Sequence, residues 1–277
     1  MDAIPRPDIL PVALVQMDAG QDVAANTAAA EGLVREALAG GARLVCLPEM
    51  YHFRSTGRPA VLPGETIPGP STQGLAKLAR EHGAWVLAGS VCEAIPGDRR
   101  VFNTAVLLGP DGGVVATYRK IHLFDVDIDG VAIRESDWYR AGDRPVAAPV
   151  AGRTLGLSIC YDLRFPELYR RCADLGADML AVPASFTATS GAAHWESLLR
   201  ARAIENQAFV LAPDQTGPGS GGVATWGHSM IVDPWGTVLA EADGAATCVV
   251  AAELDFAQLD GIRRRLPALR HRRLGRS

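Results

Sequence analysis

The sequence predicts an α/β domain of mixed sheets covered by helices. Two patterns carry this reading. Short apolar runs of strand length alternate with helix-like stretches in the first and third quarters of the chain. Interleaved with them are pairs of apolar runs that meet at Pro/Gly turns and read as hairpins. Hairpins make antiparallel pairs, so an all-parallel doubly wound sheet does not fit. Size agrees: 277 residues, 48% of them hydrophobic, suit one domain rather than two. A chain this long buries about 75% of its unfolded surface and needs no metal or disulfide staple.

The elements follow in order. ValAlaLeuValGln at 12–16 reads as a buried strand. The Ala-rich stretch 24–38 is a helix stopped by Gly40 and Gly41. A strand covers 43–47. An amphipathic helix covers 71–82, with Ser71 as its N-cap and Gly83 ending it. Strands follow at 85–91, 103–108 and 114–119, the last two joined by GlyProAspGlyGly, a turn sequence with a mechanism behind it. From Lys120 to Pro149 no period is sustained, and a connection of about 30 residues is usually functional. Next come strands at 154–159, 178–182 and 208–212, with helices at 166–175 and 192–206 between them. A second hairpin, 228–232 with 237–241, turns at AspProTrpGly. A strand at 246–252 and a helix at 256–265 finish the pattern. No internal repeat shows in the sequence. GlyProGlySerGlyGly at 217–222 reads as a flexible surface loop.

The net charge of −4 argues against a nucleic-acid binder working by bulk charge. The charge is unevenly placed: residues 262–277 hold seven Arg and no acid. This basic tail is expected to be a solvated, partly ordered terminus rather than a phosphate-binding patch. The five cysteines, Cys46, Cys92, Cys160, Cys172 and Cys248, are odd in number and form no CxxC, which argues against a disulfide framework or zinc site. The opening MDAIPRPDILP has no secretory pattern, and no apolar run reaches about 18 residues. The expectation is a cytoplasmic protein with no membrane contact.

Three apolar strands each end at a reactive residue: LeuValCysLeuProGluMet at Glu49, ValValAlaThrTyrArgLys at Lys120, and ThrLeuGlyLeuSerIleCys at Cys160. Strand ends in open α/β sheets deliver side chains into a common crevice. Taken singly, each has a bland reading. Cys160 could be a small core hydrophobe, and Glu49 a capping or surface carboxylate. Against that, CysTyrAspLeuArg ends its apolar run at once and begins a helix, and a helix N-terminus acidifies a thiol. Pro48 follows a buried strand directly, so Glu49 is expected to be partly buried. Lys120 is the most informative residue. The chain has 25 Arg and only two Lys, so a lysine between Arg119 and Ile121 suggests a need for a compact point charge that Arg cannot supply. His122, His194 and His228 show no metal-ligand spacing. There is no GxSxG, GxGxxG or GxxxxGK[ST] motif.

At these residues the sequence resembles the nitrilase, or carbon–nitrogen hydrolase, superfamily over about residues 11–273. The matching stretches include LeuProGlu (47–49), TyrArgLysIleHisLeuPheAsp (118–125), ArgGluSerAsp (134–137) and IleCysTyrAspLeuArgPheProGluLeu (159–168). Two more are AlaHisTrpGluSerLeuLeuArgAlaArgAlaIleGluAsn (193–206) and TrpGlyHisSerMetIleValAspProTrpGly (226–236). They are most similar to the small branch of deaminated-glutathione amidases and omega-amidases, and the ending LeuProAlaLeuArgHisArgArg is nearer the former.

The resemblance implies a four-layer α-β-β-α sandwich with two mixed sheets, formed by one domain over 1–277 with a basic tail from about 262, and a homodimer or larger oligomer. It makes Glu49 the general base, Lys120 the cationic stabiliser and Cys160 the nucleophile. Glu135 matches the family's second glutamate, which helps position substrate and catalytic groups. Arg164 and Phe186 match pocket-lining positions, Ser190 stands where relatives often carry Thr, and the Tyr161 backbone N–H would share the oxyanion with Lys120. The implied reaction hydrolyses a small carboxylated amide, above all deaminated glutathione, through a thioester, with no metal or cofactor. An omega-amidase, a nitrilase or N-carbamoyl amino acid hydrolase, and a catalytically silent scaffold protein stand as alternatives.

Overall fold

The computed structural model describes residues 8–55, 61–128, 131–219 and 223–274. Part of the loop expected at 217–222, residues 220–222, lies outside these, as do residues 275–277 of the tail. Two six-stranded sheets form the centre. The first is built from β1 (Ile9–Gln16), β2 (Leu44–Cys46), β3 (Trp85–Ala94), β4 (Val101–Leu108), β5 (Val114–Arg119) and β14 (Cys248–Asp255), in the order β14-β1-β2-β3-β4-β5. The second is built from β8 (Val146–Val150), β9 (Arg153–Leu157), β10 (Met179–Ala181), β11 (Phe209–Ala212), β12 (Met230–Val232) and β13 (Val238–Glu241), in the order β13-β12-β11-β10-β9-β8.

Side-chain alternation stacks the layers. Along β1, Val12 and Leu14 join a core that includes Leu155, Leu157 and Leu180 of the second sheet. Ala13 and Val15 face the other way. They pack with Ala30 and Val34 of α1 (Val23–Ala39) and with Leu75 and Leu78 of α2 (Pro70–His82). On the far side, α3 (Pro166–Asp174) packs on β9, and α4 (Ala188–Asn206) on β11 and β12. The result is the α-β-β-α sandwich. Each fully buried Leu or Val in these interfaces contributes about 1.5–3 kcal/mol.

Both sheets are mixed, and they share one plan. β1, β2 and β3 run parallel, then β4 and β5 turn back. β9, β10 and β11 run parallel, then β12 and β13 turn back. An antiparallel strand flanks the first of each set, β14 beside β1 and β8 beside β9. The backbone therefore repeats although the sequence does not, because a pattern of buried and turning positions can be met by many different residues.

One local expectation is corrected and two are refined. Gly69, not Ser71, caps α2: its N–H donates to Thr72 Oγ1 (3.1 Å), whose hydroxyl donates to the Gly69 carbonyl (2.9 Å). Pro70 fits the first helical position, where its fixed φ suits the helix and no N–H is needed. Gly83 does end this helix, in the left-handed conformation. The 120–149 connection is not structureless; it holds a hairpin, β6 (Asp125–Ile128) with β7 (Val131–Arg134), a 3₁₀ turn at Glu135–Asp137, and β8. The basic tail is solvated and partly ordered, as expected, with Arg264, Arg265, Arg270 and Arg273 exposed while two other arginines dock. After α5 (Phe256–Arg265), which matches its expected span, comes a short α6 (Ala268–His271). Arg263 pairs with Asp178 at 2.8 Å and Arg272 with Asp174, so acids of the second half offset part of the tail's charge.

Candidate active site

Glu49 follows β2, Lys120 follows β5 and Cys160 follows β9, so three strand ends from two sheets meet. All three side chains are buried, with Glu49 at 4%, Lys120 at 2% and Cys160 at 7% exposure. With Glu135, they line one cavity of about 390 Å³. Within it, Lys120 Nζ donates to Glu49 Oε1 (2.9 Å) and to Glu135 Oε1 (3.0 Å). Two carboxylates thus share one ammonium in a buried site. Burial works against the Lys120 charge, but Glu135 and Glu49 outweigh it and hold the amine well above the ordinary lysine range. Burial raises the Glu135 carboxyl; Lys120 opposes this, and Glu49 adds to it.

The surroundings fix Glu49 at both oxygens. Oε1 also accepts from Asn103 Nδ2 (2.8 Å), and Oε2 accepts from the Ser185 backbone N–H (2.9 Å). Its own carbonyl takes Gln215 Nε2 at 2.9 Å. Behind it, a Cβ at Gly89 would stand 1.9 Å from the Pro48 carbonyl oxygen, so only glycine lets β3 pass this close to the Glu49 segment. Glu135 Oε2 accepts from the Phe124 N–H at 2.6 Å, which ties the base of the β6–β7 hairpin to the site.

Cys160 departs from expectation in two ways. It does not open an α-helix: it starts a 3₁₀ turn, Cys160–Arg164, and α3 begins only at Pro166. Its φ is +49°, in the left-handed region, so a short turn rather than a helix dipole surrounds the sulfur. Nor is the thiol acidified. Burial pushes it well above the ordinary range and Glu49 adds to that, while Lys120 pulls the other way. A thiol held neutral needs a base beside it, and the Glu49 carboxylate lines the same cavity.

Arg164, Tyr161, Phe186 and Ser190 all line the same cavity. The Arg164 guanidinium lies 5.2 Å from the Phe186 ring centroid and 6.0 Å from that of Tyr161. Asp162 is committed elsewhere, and among the described residues Arg164 forms no ion pair with any acid. The i, i+4 argument linking Cys160 and Arg164 loses its helix, but the tight turn still sends both into one cavity. Ser190 Oγ is bonded to Thr187 Oγ1 at 2.7 Å. Tyr161 is the second residue of the 3₁₀ turn, where a backbone N–H has no partner inside the turn. On another wall, Met50, Phe53, Leu62, Trp138 and Tyr139 make an apolar surface.

Sequence reasoning missed Asn103, Ser185, Gln215 and Asp162. Asn103 carried a signal, a polar residue inside a buried run; Ser185 acts through its backbone and carried none.

The model for "Carbon-nitrogen hydrolase" matches residues 11–264. Omega-amidase NIT2 of Homo sapiens is 37% identical over 263 residues, covering 95% of this chain and 94% of its own. The Deaminated glutathione amidase of Synechocystis sp. is 41% identical over 264 residues, covering 94% and 97%. Among solved structures, Saccharomyces cerevisiae Nit3, a member of branch 10 of the nitrilase superfamily, superposes with a TM-score of 0.84 at 28% identity, covering 99% of each chain. The match along nearly the whole chain leads to one conclusion: the chain belongs to the carbon–nitrogen hydrolase family and is an enzyme of that class.

Proposed function

We propose that the chain is a thiol-dependent amidase acting on a small carboxylated amide. The observation that carries this is Lys120 Nζ held between Glu49 and Glu135 beside a buried, neutral Cys160. Cys160 Sγ attacks the amide carbon as Glu49 takes the thiol proton. Lys120 and the Tyr161 N–H stabilise the tetrahedral oxyanion; a donor aimed at such an oxygen is worth about 10²–10³ in rate. Glu49 then protonates the departing nitrogen, leaving a thioester on Cys160. Water activated by Glu49 hydrolyses it and restores the thiol. Glu135 keeps Lys120 charged and oriented throughout.

The substrate carboxylate sits at Arg164, a cavity guanidinium with no acidic partner among the described residues. The apolar wall of Met50, Phe53, Leu62, Trp138 and Tyr139 accepts a leaving amine larger than ammonia, which favours deaminated glutathione as substrate. Omega-amidase activity on 2-oxoglutaramate-type amides is the second reading, since the human relative of that name matches over the same length. We read the enzyme as a homodimer or larger oligomer working in the cytoplasm, where its five free cysteines would stay reduced. No helix among the described residues is long and apolar enough to cross a membrane.

The test is a product screen across carboxylated amides, nitriles and N-carbamoyl amino acids. Release of the acid from the amides alone is expected. Turnover of nitriles or carbamoyl compounds with the amides inert would overturn the reading.

A further inference from the structure

Lys120 and Cys160 come from different sheets, so neither strand alone sets the distance between them. Asp162 spans the gap from the side of the nucleophile's own turn. Asp162 lies two residues after Cys160, is wholly buried, and gathers four contacts on its carboxylate. Oδ2 accepts from the Tyr118 hydroxyl at 2.7 Å and from the Ile159 N–H at 2.9 Å. Oδ1 accepts from the His122 N–H at 3.1 Å and lies 2.7 Å from His122 Nδ1. Tyr118 and His122 stand two positions to either side of Lys120, and Ile159 immediately precedes Cys160. The His122 ring stacks on Phe165 at 3.7 Å with the planes 5° apart, which closes the brace at the end of the turn.

A buried aspartate at the start of a turn is often just a cap, and the bond to Ile159 is of that kind. A cap needs one acceptor. The other three contacts go to a segment of the opposite sheet, which the turn does not require. The Cys160 backbone is also left-handed at +49°, a conformation that persists in a non-glycine residue only where its surroundings impose it.

We propose that Asp162 is a positioning residue: it ties the Tyr118–His122 segment to the Cys160 turn and so sets the Lys120 ammonium against the sulfur. The inference rests on the amidase reading of Glu49, Lys120 and Cys160. In that reading the oxyanion has one donor from each side of the brace, Lys120 Nζ from the first sheet and the Tyr161 N–H from the turn. Arg164 belongs to the turn as well, so a substrate gripped by Arg164 moves with the nucleophile. Loosening the brace therefore shifts the Lys120 side of the site against the sulfur and the gripped substrate, and the loss falls on the chemical step rather than on binding. A displacement of about 1 Å can cost about 10²-fold in rate.

The test compares Asp162→Asn, Tyr118→Phe and the double variant with the parent, on the ω-amide of a dicarboxylic acid, with folding checked by calorimetry and Cys160→Ala alongside. Asp162→Asn is expected to lower kcat by about 10²-fold with KM within about threefold. Tyr118→Phe, which leaves the carboxylate in place and folds on the gentler change, is expected to lower kcat by about 10-fold. The double variant should be no slower than Asp162→Asn alone, because both act through one brace. A folded Asp162→Asn or Tyr118→Phe with parent-like kcat, effects that multiply in the double variant, or a loss confined to KM would overturn the proposal. Cys160→Ala separates the two levels: if it is inactive, a negative result for Asp162 counts against the brace alone, and if it turns over, the amidase reading itself fails.

Discussion

Arg164 Nη1 donates to His194 Nδ1 at 3.2 Å. Arginine offers no acceptor, so the ring nitrogen is the accepting partner of this contact. The contact holds the guanidinium near Phe186 at the cavity wall. A bidentate carboxylate there is worth about 1.5–3 kcal/mol, roughly 10–150-fold. Arg164→Ala should therefore lower kcat/KM by about that factor for carboxylated amides and change little for uncharged ones. An equal fall for both substrate types would mean that Arg164 supports the turn and not the substrate.

Lys120→Arg keeps the charge but not the shape. Lys120 is 2% exposed and wedged between two carboxylates, and a planar guanidinium would crowd the place where the oxyanion forms. Steady-state assays should show a loss of at least about 10²-fold. Activity within a few-fold of the parent would mark Lys120 as an ion-pair residue with no part in the chemistry.

The cysteines should react unequally with a thiol-directed inhibitor. Burial pushes Cys92 and Cys172 up to about 12 and Cys46 higher still, and none of them borders the cavity. Cys160 borders it and has Glu49 to take its proton. Mass spectrometry should find the adduct at Cys160 first, with half-buried Cys248 the next to react. Labelling that is equal across all five would remove the case for a distinct nucleophile.

His52 gives the fold an acid limit. It is 1% exposed, and burial lowers its pKa from 6.5 to about 4. The unfolded chain therefore binds a proton that the folded one refuses between those values. Stability contributed by the neutral ring is complete above about pH 6.5 and is lost as pH falls toward 4, by up to about 3 kcal/mol. Denaturant unfolding of His52→Gln against the parent between pH 7 and 4.5 should show the variant's stability falling less steeply. Parallel pH profiles would show that other groups set the limit.

Much of this site was legible in the sequence because it lies at strand ends, where an apolar run stops at a charged or reactive residue. Glu49, Lys120 and Cys160 announce themselves that way. What the run cannot convey is what lies across the gap. The aspartate of CysTyrAspLeuArg shows no purpose in the sequence until Tyr118 and His122 are brought to it from the other side. The same limit hid the common plan of the two sheets and the docking of Arg263 on Asp178, since both depend on pairings between residues far apart in the chain. Local rules failed only at close range: the Pro70–Thr72 arrangement outcompeted Ser71 for the start of α2.

The pairing of β1 with β14 sets a timetable for synthesis. Ile9 finds its partner in Asp255 and Gln16 in Cys248, so one side of the first sheet stays open until nearly the whole chain has left the ribosome. At about 5–20 residues per second, that is roughly 10–50 s during which Val12, Leu14 and their neighbours present an unpaired apolar edge. The nascent chain is thus most prone to aggregate while its first sheet is already assembling, and translation in an extract stripped of chaperones should trap it there.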